Sequence, residues 1–286
     1  MLLHHNIRLQ VLQQYKKSMR LSWTQKCIIL TYMHGIRKHA NLIYELARAD
    51  FKLKYYGSFT GLLWSFLKPF FMLLILYGVF FHILKVDTPY YPWFLLLGII
   101  VWNFFADTTK ESMQSISAKA HILRNVNISP IIAVLSTFLH LLWTFTITLV
   151  VFGILLGIFR VPFSGNIFLI LFLLLLLVLV TLGVSLLTAP LFTRFRDFGH
   201  LWDILLQMFF WILPITYSHS LVPESYRVWY LTNPLTRIII YLRDTILYHN
   251  TPDASALLYT ALSSFVLFAI GVLFFMRQQK ALIEHL

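Results

Sequence analysis

The chain is poor in the residues on which most soluble chemistry is built. Its single cysteine, Cys27, excludes an intrachain disulfide, a Cys-x-x-Cys redox pair and a cysteine zinc site. Charged residues make up only 12%, whereas a soluble domain carries about a quarter, so a soluble domain is excluded. No GxxxxGK[ST] or GxGxxG run occurs among the 11 glycines. A nucleotide therefore has no phosphate-cradling loop here, and any energy from ATP must come from elsewhere. Acids are scarce as well. Asp87, Glu224, Asp244 and Asp253, which the topology below places outside, stand apart without a paired-carboxylate or DxD cluster, so catalysis by the chain is unsupported. The apolar run Cys27–Met33 within Met1–Gly35 is too short for a signal-peptide core and lacks a small-residue cleavage site, so no cleaved signal peptide is expected.

What is present is apolar: 59% of the residues are hydrophobic, and long uncharged runs predict an all-α integral membrane protein. Six spans are expected, at about 59–84, 93–109, 131–159, 167–191, 203–218 and 255–276. Pro69 should kink the first. Pro130 suits the start of the third, and the fifth is short and holds Pro214. Between spans five and six, Leu235–Leu247 is apolar enough to dip back into the membrane as a re-entrant segment. The domains are then a basic extension at 1–34, helical or mobile, an amphipathic interface helix at 35–57, a transmembrane domain at 58–280 and a tail at 281–286.

Charge orients this plan. With both termini inside, 17 Lys and Arg residues fall on the cytoplasmic side and five outside, with Lys68 left within a span, which fits the positive-inside rule. The formal net charge of +12 sits mainly beside apolar spans, where anionic lipid explains it and nucleic acid is not needed.

The segment Arg37–Tyr77 joins the two regimes. Arg37, Asn41, Glu45, Arg48 and Lys52 share one helical face, and Leu42, Ile43, Leu46, Ala47 and Leu53 share the other, the pattern of a helix lying along a membrane surface. Directly after it, YYGSFTGLLWSFLKPFF, with its Gly-x-x-x-Gly-x-x-Trp-x-x-x-x-Pro run, resembles the opening of the membrane subunit of ABC-2 type exporters of polysaccharides, the O-antigen, capsule and teichoic-acid permeases. The resemblance covers about residues 35–280. It implies a homodimer working with two copies of a separate ATP-binding subunit, which holds ATP and Mg; no cofactor and no metal is expected on this chain. The cargo it implies is a lipid-linked polysaccharide moved outward across the bacterial plasma membrane.

Three groups of residues become candidates. In the loop Lys110–Asn125, Gln114, Ser117, His121 and Arg124 share a stripe beside Met113, Ile116, Ala120 and Leu123. A short amphipathic helix is expected there, either an ordinary solvated one or, as the resemblance implies, a coupling helix seated on the ATPase, with Glu111 and Ile116 among its residues. In TRFRDFGHLWD, Arg196, Asp197 and His200 match the family's Arg-Asp-x-x-His pattern; Arg196 and Asp197 serve either as helix-end charges or as partner contacts. His200 has no second ligand at i+4 and reads as structural.

The third group is aromatic, 17% of the chain. Phe59, Phe66, Phe70 and Tyr77 share a face of span one, and Phe210, Pro214 and Tyr217 a face of span five. Such faces pack, meet lipid or, on the resemblance, line a sugar pathway. Lys68, nine residues beyond Phe59 and so about 14 Å along the helix, falls near the middle of the hydrocarbon. A charge there must snorkel or face protein or water. Beside Trp64 and Phe71 it is expected either to reach the inner headgroups or to face the channel and attract a substrate phosphate. The competing functions are an ABC-2 exporter of small drugs or lipids and a membrane glycosyltransferase, which would need outer catalytic acids.

Overall fold

A computed structural model describes residues 23–55, 61–83, 85, 89–126, 128–161 and 166–285. Residues 1–42 and 43–286 are separate compact units. The described residues are helical, without strands: α1 (Trp23–Tyr55), α2 (Gly61–Tyr77) running into a π-helical stretch (Gly78–Ile83), α3 (Tyr91–Ala118), α4 (Ala120–Val126), α5 (Ile131–Ile158), α6 (Ile167–Arg194), α7 (Phe198–Ile212), a 3₁₀ turn (His219–Leu221), α8 (Glu224–Thr232), α9 (Pro234–Leu247) and α10 (Ala254–His285). Five of these elements are long and apolar enough to cross a membrane, over Leu63–Phe81, Tyr91–Ala118, Ile131–Ile158, Ile167–Arg194 and Ala254–Gln279.

The expected fifth span differs. It forms the 15-residue α7, because Pro214 has no N–H to continue the ladder and Leu213 leaves the helical region at ψ 154°. The chain then turns and returns through α8 to α9, whose start is set by Asn233: its side chain accepts from Leu235 N at 2.9 Å with Pro234 at the first helical position. The Leu235–Leu247 stretch is buried at Leu235, Ile238, Ile239, Leu242, Ile246 and Leu247. This face of α9 packs into the core cluster of the fold.

α3 is the central helix. Phe94–Phe105 is apolar almost all round, and a helix without a polar face is stable only inside; Leu95, Leu97, Ile99 and Val101 are accordingly buried. α2, α5, α6 and α7 pack around it. α6 instead keeps one face in the bundle and exposes Phe168, Leu171 and Leu175, the side available to lipid. It meets α10 backbone to backbone: a Cβ on Gly271 would collide with the Gly183 carbonyl oxygen, and one on Gly183 would lie 2.7 Å from Phe268 Cα. Small residues allow this approach in apolar surroundings, where van der Waals packing drives association.

Two boundaries correct the sequence reading. α3 continues through Glu111 to Ala118, so no separate helix spans 110–125; a break at Lys119 leaves only α4 beyond it. α10 likewise continues to His285, past the expected end at 276.

Candidate functional site

Lys54 and Tyr55 at the end of α1, the start of α2, α3 and α5 line an open cavity of about 390 Å³. On α3, Asn103, Asp107 and Glu111 recur every four residues, and Ile100, Phe104 and Thr108 fill the same face, so one helical stripe supplies the polar wall. Two lysines from the opposite side meet it. Lys54 Nζ donates to Glu111 Oε1 at 2.8 Å, and Lys68 Nζ donates to the Asp107 carboxylate oxygens at 3.2 and 3.1 Å. Trp64, one turn before Lys68, is exposed beside them. At the back, Tyr55 Oη and Thr144 Oγ1 share a hydrogen bond of 3.1 Å.

A second tier of charge lies behind this wall. His140, buried on α5, brings Nε2 to 3.4 Å from Glu111 Oε2 and Nδ1 to 3.8 Å from Asp50 Oδ2. Asp50 in turn accepts from Lys119 Nζ at 2.6 Å, and that ammonium also donates to Ser136 Oγ and Thr137 Oγ1, both at 2.8 Å. Burial pushes the Lys119 ammonium below the usual lysine range, with Asp50 opposing the shift. The charges thus form a ladder tying the end of α1 to α3 and α5. Tyr44 and Phe51 reinforce it, their rings meeting Trp143 edge-on at 5.6 and 6.0 Å. A fourth lysine–carboxylate bridge, Lys110 Nζ to Asp203 Oδ1 at 2.7 Å, joins α3 to α7.

Lys68 is therefore not a solitary charge at mid-span. The apolar stretch begins at Leu63, which places Lys68 five residues, about 8 Å, from its start, and Asp107 neutralises it. Glu111 and Ile116 also sit differently from a coupling surface. Glu111 faces the cavity, and Ile116 is fully buried with Leu123, Ala133 and Leu186, because both belong to the core-facing side of α3. Gln114, Ser117, His121 and Arg124 are exposed, and His121 lies within hydrogen-bond distance of Asn125.

Glu45, Arg48 and Lys52 stand exposed along α1 and Ala47 is buried, but Leu53, expected on the apolar face, is 75% exposed. Arg37 belongs to the first unit, and its side chain, like Phe59 and residues 1–22, lies outside the described part. Arg196, Asp197 and His200 are exposed around the α6–α7 turn, where the Asp197 side chain makes no cap bond. Of the aromatic candidates, Phe66 and Phe70 stack at 6.0 Å and Tyr77 stacks on Phe81 at 4.8 Å; Trp64 and Phe71 are exposed. Phe210 is instead buried edge-on against Trp102. It shares no helical face with Tyr217, because α7 ends between them; the Tyr217 hydroxyl donates back to Ile212 O at 2.6 Å.

The sequence reading passed over Asp50, Asp107, Lys119 and His140. The available signal was the four-residue recurrence Asn103, Asp107, Glu111 and Ser136, His140, Thr144, Thr148 in otherwise apolar helices, since polar stripes in spans face protein or water. It also passed over Arg243, one of the five basic residues counted as outside. Arg243 is buried on α9, donating to Phe94 O at 3.0 Å, to Ile215 O at 2.9 Å and to Pro214 O, with its guanidinium 3.5 Å from the centre of the Phe94 ring. Two of its acceptors, Pro214 O and Ile215 O, are carbonyls exposed by the break after α7. Among the described residues, no three His, Cys, Asp or Glu side chains converge as a metal site.

A family model described as ABC-2 type transporter matches residues 41–247, a range that contains the whole cavity and Arg243. Curated relatives point the same way. An O-antigen export system permease protein (RfbA) of Klebsiella pneumoniae is 29% identical over 209 residues, 71% of this chain and 79% of the relative. One of the same name from Myxococcus xanthus is 25% identical over 258 residues, 88% and 98% of the two chains. A polysialic acid transport protein (KpsM) of Escherichia coli is 25% identical over 232 residues, covering 80% and 90%.

Proposed function

We propose, from the premise that this chain belongs to the ABC-2 type transporter family, that it is the membrane permease of a bacterial exporter of lipid-linked polysaccharide. The observation that carries the reading is the set of relatives: O-antigen and polysialic acid permeases align over most of both chains, and five membrane-crossing helices suit a multi-pass carrier. The chain acts as a homodimer in the plasma membrane with two copies of an ATP-binding subunit that holds ATP and Mg. Both termini face the cytoplasm, and α7 to α9 form the sixth passage with a re-entrant return.

Energy reaches the permease through α1, along the membrane surface, and through the exposed turn around α4, where Gln114, Ser117, His121 and Arg124 contact the ATPase and Arg196, Asp197 and His200 lie on the same side. The polar chain of Asp50, Lys119, His140, Glu111 and Lys54 supports this, because its contacts join the end of α1 to α3 and α5, so a push on α1 is carried to both. Trp64, Phe66, Lys68, Phe70, Phe71 and Tyr77 line the path of the polymer, offering ring faces on which sugars slide without tight binding. Deleting the gene should leave polymer inside the cell, and the wild-type chain, supplied with its ATPase, should return it to the surface. Surface polymer unchanged by the deletion would refute the export reading and favour small drugs or lipids as cargo.

A further inference from the structure

We propose that the cavity bounded by α1, α2, α3 and α5 is a carbohydrate-binding vestibule within each protomer, taking sugar rings of the polymer next to its lipid. The proposal rests on the export reading and assigns a sugar, in place of a phosphate, to the pocket beside Lys68. Three features carry it. The first is charge balance: Lys54 and Lys68 face Glu111 and Asp107 as closed pairs. An incoming phosphate meets two carboxylates as well as two ammonium groups, and an incoming cation meets the reverse, so neither gains a net field. Polyhydroxyl groups, each both donor and acceptor, satisfy the lone pairs and N–H groups that the pairs leave over.

The second feature is an unsatisfied hydroxyl. Thr108 lines the cavity, is fully buried, and its Oγ1 has no hydrogen-bond partner among the described residues. The neighbouring Thr109 makes the usual bond back to Phe105 O at 2.9 Å, so the helix does not impose the vacancy. A buried hydroxyl without a partner is costly; the Thr108 hydroxyl lies just under the cavity wall, and a ligand hydroxyl removes that cost once the wall side chains part over it. The third is the pairing of a polar stripe with apolar ring surface. Asn103 and Asp107 present planar amide and carboxylate groups, while Trp64 and Phe104 supply ring faces suited to the C–H face of a sugar. At about 390 Å³ the cavity lies in the size range of small-molecule sites.

The test uses the full chain bound to its ATPase in nanodiscs, carrying Ser65→Cys on the cavity wall in a Cys27→Ser background, with the rate of maleimide labelling at position 65 as readout. The probes are the polymer cut from its lipid, inorganic pyrophosphate, and phosphatidylethanolamine in the disc. Free glycan should slow labelling at least about tenfold, equivalent to about 1.4 kcal/mol, and Trp64→Ala should abolish that protection. Pyrophosphate should not slow it. Protection by pyrophosphate, protection by phosphatidylethanolamine alone, or equal rates with and without glycan would each overturn the proposal. In cells, Thr108→Val should lower surface polymer and Thr108→Ser should restore it; full export by Thr108→Val at matched assembly with the ATPase would also overturn it. Failure here with wild-type export intact removes the vestibule alone, whereas export unaffected by deleting the gene removes the export reading beneath it.

Discussion

A single buried side chain holds the outer break of the bundle together. Where α7 stops at Ile212, the carbonyls of Pro214 and Ile215 lose helical partners, and water cannot satisfy them inside an apolar core. Arg243 supplies the donors from α9, and its fork reaches two consecutive carbonyls in a way a lysine cannot. Gly98 makes room, since a Cβ there would collide with Arg243 Nη2. Arg243→Met should therefore strand the Pro214 and Ile215 carbonyls, at about 1–3 kcal/mol for each left unpaired, and lower the melting temperature of the detergent-purified protein. Gly98→Ala should destabilise it in the same direction by displacing the guanidinium. Unchanged melting in both variants would remove this clamp. At this scale little was legible beforehand: an arginine in a presumed outer loop reads as solvated, and only its burial against Phe94 shows otherwise.

Among elements, the α6–α10 crossing is the tightest contact in the fold. Gly183 and Gly271 meet directly, and Thr181, Ser185, Thr260 and Ser264 are buried with their hydroxyls returned to their own helices. The interface thus gains close packing without leaving polar groups open. Gly271→Leu should force the helices apart and cost about 1–3 kcal/mol or more through overpacking. Gly153→Leu on α5, where a Cβ meets nothing within 4 Å, serves as the control. The check is the yield of folded protein by size-exclusion chromatography; equal recovery of the two variants would contradict the crossing. Helix periodicity anticipated both elements, but glycines inside apolar runs carry no sign of which helix they will meet.

For the whole molecule, the proposed arrangement makes a labelling prediction. In a Cys27→Ser background, Trp229→Cys on α8, 80% exposed, should react with a membrane-impermeant maleimide added to intact spheroplasts, and Gln114→Cys should react only after the membrane is opened. The reverse pattern would invert the orientation drawn from the 17-to-5 distribution of basic residues. α8 also bears on the sixth passage. The 15 residues of α7 reach about 22 Å, short of the roughly 30 Å of hydrocarbon, so the sixth passage proposed above needs the turn after Leu213 and α9 packed against α3 and α6.

The sequence by itself determined what depends on local pattern: a helical membrane chain, four of the five long spans to within a few residues, and the family. Apolar length and periodicity are properties of consecutive residues, so they survive without a fold. Only the tertiary structure decided which charges are partners. Lys68 and Asp107 are 39 residues apart and Lys54 and Glu111 are 57 apart, and each alone reads as a flanking or stranded charge. The low-polarity interior penalises every unpaired charge, but the identity of the partner is set by which helix faces meet. The same holds for Arg243, whose role exists because α7 breaks beside it.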